Sequence, residues 1–127
     1  TRAVEIASHI GALDIGQAAI VARGIVLGVE SVEGTDAMLA RVGDLSEEVR
    51  GTPDARLGVL AKIPKPQQDR RIDLPALGPQ TVEGAVHAGL AGIVFEADGV
   101  LFEALDACIE QADRAGLFLY GLTPEDL

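Results

Sequence analysis

A chain of 127 residues has room for one domain with a true core, burying about two thirds of the surface it exposes when unfolded. Apolar side chains make up 48% of it, mostly Ala, Val, Leu and Ile, and no apolar run approaches the roughly 18–20 residues that a membrane helix requires. The formal net charge of −10 argues against general nucleic-acid binding, which rests on basic side chains neutralising phosphates, and leaves open only a local basic cluster able to hold one or two of them.

The chain begins at Thr1, without Met and without a signal-like segment, and reads as a piece of a longer protein. In TRAVEIASHIGALDIG, Val4, Ala7 and Ile10 recur at helical spacing and Gly11 reads as the stop. His9 near that end suits the helix dipole, and the only other histidine, His87, falls in a different predicted helix. Two β-rich runs then flank Arg23-Gly24 in residues 17–30, which predicts a hairpin that must join a larger sheet, because two short strands cannot stand alone. In SVEGTDAMLARVGDL, Gly34 breaks the strand and Thr35 or Asp36 is placed to cap a helix running toward Arg50. GTPD at 51–54 is a turn, and residues 57–63 (LGVLAKI) read as a mostly buried strand.

Next comes an anomaly, KIPKPQQDRRIDLPALG. Both lysines of the chain (Lys62 and Lys65) and two of its eight arginines (Arg70 and Arg71) fall within ten residues of each other, threaded with Asp69 and Asp73. Prolines at 64, 66 and 75 forbid regular helix and favour an extended path. Gly78-Pro79 leads to a helix starting at Gln80-Thr81 and ending over residues 89–92. GIVFEADGVLF carries Asp98-Gly99 between two strands, a strong hairpin signal. EALDACIEQADRAG is an amphipathic helix holding the lone Cys108, read as a small core residue, since a single cysteine excludes an intrachain disulfide. LFLYGL closes as a strand, followed by a TPEDL tail. Alternation of helices and strands predicts an α/β layered domain, a mixed β-sheet flanked by about four helices, over residues 1–127.

The phosphate loop GxxxxGK[ST], GxGxxG after a strand, HExxH and CxxC are all absent from the sequence. Two segments are able to carry chemistry. In ESVEGTD (30–36) a strand end meets a helix start through glycine, a junction that exposes backbone N–H groups to anions; Thr35 offers a hydroxyl, and Glu33 and Asp36 could hold a cation or orient water. The plainer reading is a capped helix with solvated acids. The basic segment suits phosphate recognition: arginine offers a fork to oxygen pairs, lysine a point charge, and aspartate a ligand for Mg²⁺. The alternative there is an exposed loop with internal salt bridges from Asp69 and Asp73 to the arginines.

DIGQAAIV (14–21), VESVEGTDAMLARV (29–42), LAKIPKPQQDRRIDLPALGPQTVE (60–83), AGLAGIVFEA (88–97) and ADRAGLF (112–118) together resemble the C-terminal half of the UDP-2,3-diacylglucosamine pyrophosphatases of lipid A biosynthesis. The group in question is the metal-dependent one unrelated to calcineurin-like phosphoesterases, and EGTDAM followed by KPxQDxRxDLPxxG is a specific pattern. The resemblance implies a two-domain cytoplasmic enzyme of which this chain is the C-terminal catalytic half, the N-terminal domain being absent. It implies hydrolysis of UDP-2,3-diacylglucosamine to 2,3-diacylglucosamine 1-phosphate (lipid X) and UMP with Mg²⁺ or another divalent cation such as Mn²⁺, and transient contact with the inner membrane surface. Carried over by position, Asp73 is the first candidate for the essential aspartate and metal ligand and Asp69 the second. Lys62, Lys65, Arg70 and Arg71 are placed for the diphosphate and Gln68 for a polar contact. Gly34, Thr35 and Asp36 form a second wall, and Thr81 caps the helix after the loop. ALG at 76–78 departs from the more usual TIG, which weakens substrate contact at that position. Two readings from other classes stand beside the hydrolase: a non-catalytic module binding a phosphorylated nucleotide-sugar, and a domain that self-associates into a homodimer.

Overall fold

The computed structural model describes residues 2–65 and 76–123. Its order is α1 (Arg2–Ala12), β1 (Ala18–Ala22), β2 (Ile25–Val29), α2 (Thr35–Gly43), β3 (Val59–Lys62), β4 (Ala76–Leu77), α3 (Pro79–His87), β5 (Gly92–Glu96), β6 (Leu101–Phe102), α4 (Leu105–Ala115) and β7 (Phe118–Leu122). Five strands form a mixed sheet in the order β2-β1-β3-β5-β7. β1 runs antiparallel to both neighbours, whereas β3, β5 and β7 are mutually parallel. Among the described residues the chain adopts the expected α/β layered fold with four helices.

Alternation along the strands divides the core in two. Ala18, Ile20, Leu60 and Ile93 face α2, α3 and α4, where Met38, Leu39, Val42, Val82, Ala85 and Cys108 meet them. Ala19, Val21, Ala61 and Val94 face the other way, onto Ala3, Val4 and Ala7 of α1. β1 is buried at all five positions because helices cover both of its faces, so it carries no polar alternation. The hairpin around Arg23-Gly24 forms as expected: Ala22 pairs with Ile25, and both turn residues have positive φ (53° and 77°), as a type I′ turn requires.

Three sequence expectations give way. Asp98-Gly99 does not close a hairpin: β5 pairs with β3 and β7, and β6 instead makes a two-residue parallel ladder with β4. α2 stops at Gly43 rather than running toward Arg50, with Asp44 as its C-cap and turns following. α3 begins at Pro79, whose missing N–H is harmless at the first helical position, and it ends at His87; Gly92 belongs to β5.

Candidate functional site

β3 ends at Lys62, flanked by the start of β1 and by the end of β5, with Lys62 opposite Ala18 on one side and Phe95 on the other. At the same end of the sheet β2 finishes and α2 begins. A cavity of about 590 Å³ opens there, lined by Asp14, Gln17, Glu30, Gly34, Thr35, Asp36, Lys62, Lys65, Ala76 and Thr81 among others. That volume lies within the range of small-ligand sites. All six candidate residues that the structure describes (Gly34, Thr35, Asp36, Lys62, Lys65 and Thr81) line this one cavity. Gln68, Asp69, Arg70, Arg71 and Asp73 lie outside the described residues.

Each wall has a local cause. Gly34 is the N-cap of α2 at φ 92°, ψ 167°, a conformation L side chains rarely adopt, and no side chain caps the helix. The first turn of α2 therefore presents its amides at the cavity without a side-chain acceptor, at the partly positive end of the helix. Thr35 and Thr81 are buried, at 6% exposure each, and neither caps its helix. The Thr35 hydroxyl donates to Glu30 Oε2, and the Thr81 hydroxyl donates to Asp36 Oδ1 at 2.7 Å, joining the starts of α3 and α2. The expectation that Thr81 caps α3 is thus corrected; Gly78 is that helix's N-cap. Glu33 does not face the cavity either: it forms a two-pronged ion pair with Arg41, whose hydrogen bonds and charge hold the Glu33 carboxyl below its usual range.

Lys62 is 9% exposed, and its Nζ donates to the Ala76 carbonyl at 2.9 Å, bridging β3 to the residue that opens β4. Burial pushes its pKa down, against the attraction of Glu30 and then of Asp36, which raise it. Lys65, at the mouth, pairs with Asp14 at 2.9 Å.

Glu30 is the residue that sequence reading missed. It is 8% exposed, accepts the Gln17 backbone N–H at 2.9 Å on Oε1 and the Thr35 hydroxyl on Oε2. Its segment was marked, but an acid at a strand end looks solvated until the fold wraps around it. Gly16 is part of that wrapping, since a Cβ there would collide with the Glu30 carbonyl. Three acids therefore line the cavity among the described residues, each engaged: Asp14 with Lys65, Glu30 with Gln17 and Thr35, Asp36 with Thr81. No three His, Cys, Asp or Glu side chains among the described residues come together as a metal-binding group.

Phe95 and Phe102 pack edge to face at 4.8 Å against the core. Ile15 and Val32 do line the cavity, and both are exposed. Among the described residues no helix is long and apolar enough to cross a membrane.

The family model described as the LpxI C-terminal domain matches residues 1–120. A curated relative from Caulobacter vibrioides, named UDP-2,3-diacylglucosamine pyrophosphatase LpxI, is 54% identical over 125 residues. That match takes in 98% of this chain and 45% of the relative, so the chain spans less than half the length of the protein it matches.

Proposed function

From its place in the LpxI C-terminal domain family, to which the chain belongs, we propose that it is the catalytic half of a hydrolase that cleaves the pyrophosphate of UDP-2,3-diacylglucosamine to lipid X and UMP. The observation that carries this reading is the cavity at the end of β3, where Lys62, Lys65 and the uncapped start of α2 face one space. Cleaving a phosphoric anhydride needs mainly charge neutralisation and an aligned water, not covalent participation. A lysine ammonium with limited solvent and free helix amides suit that task.

Two lysines facing three acids do not by themselves offset a diphosphate. Arg70, Arg71 and a divalent cation such as Mg²⁺ or Mn²⁺ complete the charge in this proposal, with Asp73 or Asp69 holding the ion and Gln68 adding a polar contact. When bound, such an ion polarises a phosphoryl oxygen and lowers the pKa of its water. The Lys62 ammonium would meet a phosphate oxygen, and Thr35 and Asp36 would hold the opposite wall. Exposed Ile15 and Val32 support an apolar path for the acyl chains at the mouth. A substrate with two acyl chains resides in a membrane surface, so transient contact of a cytoplasmic enzyme with the inner membrane belongs to the same proposal, as does an N-terminal domain closing the site.

The test is UMP release from UDP-2,3-diacylglucosamine by the chain joined to such an N-terminal half and by the chain alone, with divalent metal or chelator. The joined protein should release UMP only with metal, and Asp73→Ala should lower turnover by about 10²–10⁴-fold without changing the unfolding midpoint. Normal turnover by Asp73→Ala would remove that residue from the mechanism. Binding of the nucleotide-sugar without metal and without release would favour the non-catalytic module instead.

A further inference from the structure

We infer that Glu30 is the positioning residue of the cavity: it sets the charged surroundings of Lys62, which shares the cavity and would meet a ligand phosphate, while its two oxygens lock the cavity wall. The role rests on the hydrolase reading for the identity of the phosphate, but its geometry does not. Glu30 projects from the end of β2 and connects two other elements through hydrogen bonds, one to the backbone preceding β1 and one to the first residue of α2. Both bonds go to the same carboxylate, so the start of α2 cannot shift from β1 without breaking one of them.

Lys62 stands across this wall with one of its three N–H groups given to Ala76. Lys62 lines the same cavity as Glu30. Burial alone would favour the neutral amine, which would meet a phosphate poorly, and Glu30 is the strongest opposing influence, ahead of Asp36. Among the described residues, the charged and titratable groups around Lys62 fall element by element. β2 presents Glu30, α2 presents Asp36, and the mouth presents Asp14 already paired with Lys65. α3 offers only the Thr81 hydroxyl, bound to Asp36, and β4 the Ala76 carbonyl. β5 contributes Phe95 on this side, while Glu96 alternates to the opposite face with Val94. Glu30 is thus the carboxylate that both builds the wall and acts on the lysine.

Glu30→Gln separates these duties. The amide keeps the size, can accept the Gln17 N–H and can donate to the Thr35 hydroxyl, but it carries no charge. The chain has only two lysines, so ¹³Cε labelling of lysine in a Lys65→Arg background leaves Lys62 as the one side-chain signal. With Glu30→Gln, the Lys62 titration should move to lower pH while the chain stays folded, its thermal midpoint falling by no more than that shift accounts for through linkage. UDP, as a diphosphate probe, should perturb the Lys62 signal. Its Kd should weaken more at alkaline than at neutral pH in the variant relative to the parent, by up to about tenfold for each pKa unit that the Lys62 titration moves. A merely structural role would weaken UDP equally at both values.

An unmoved Lys62 titration in Glu30→Gln overturns the inference, as does UDP that never perturbs Lys62. Neither measurement requires turnover. Loss of UMP release with the coupling intact would sink the hydrolase reading alone, and UMP release with Lys62 indifferent to Glu30 would sink this inference alone.

Discussion

A lysine ammonium at the end of a central strand sits where water is scarce, and the protein answers with a carbonyl and two carboxylates rather than with a full salt bridge. The lowered pKa of Lys62 means that the unfolded chain binds this proton more readily than the folded one. Between the lowered folded value and the ordinary lysine range, the unfolded state therefore carries more protons, and stability rises with pH through that window. Cys108 works in the opposite sense. Burial raises its thiol pKa, so at alkaline pH ionisation favours the unfolded chain. The difference between parent and Lys62→Met isolates the lysine: urea midpoints measured from neutral to alkaline pH should climb more steeply in the parent, and parallel curves would show that Lys62 does not titrate differently on folding.

At the scale of elements, the start of the cavity depends on how α2 and α3 lean together. Leu39 of α2 is 1% exposed and packs beside Gly84 of α3, where an added Cβ would come within 3.2 Å of its Cδ1. Leu39→Ala should destabilise by about 2–5 kcal/mol, read as a lower urea midpoint at unchanged slope. The same deletion should loosen the Thr81–Asp36 bond that joins the two helix starts. Which of these elements were legible in sequence follows from how local their causes are. The hairpin across Arg23-Gly24 is set by two adjacent residues and by strands that pair with each other, so short-range signals suffice. Asp98-Gly99 carries an equally strong turn signal, yet β5 has partners on both sides from distant parts of the chain, and two full parallel ladders outweigh one short hairpin. The early stop of α2 and the pairing of Glu33 with Arg41, eight residues apart, likewise depend on chain path rather than on helical spacing.

At the scale of the whole molecule, the site draws on residues from the start of β1, the ends of β2 and β3 and the starts of α2 and α3, so no single motif could have displayed it. The lysines and the Gly34-Thr35-Asp36 turn were legible because their chemistry is visible in the residue types. Glu30 and Gly16 were not, because their roles come from burial and close approach. Cys108 offers a measure of the assembled fold. It is fully buried with its Sγ directed to the Glu103 carbonyl at 3.5 Å, and a thiol reagent at neutral pH should reach it only through unfolding. Its alkylation should therefore be far slower in the native chain than in denaturant and should accelerate in Leu39→Ala; equal rates in native and denatured protein would contradict the buried placement. The location of both lysines has a practical side for anyone handling the protein. Amine-directed dyes, biotin esters and activated surfaces find their side-chain targets in this chain only at the cavity, and a lysine with a lowered pKa holds more of the nucleophilic neutral amine. Coupling chemistry that is innocuous on most proteins becomes, for this one, a label or a plug for its own cavity.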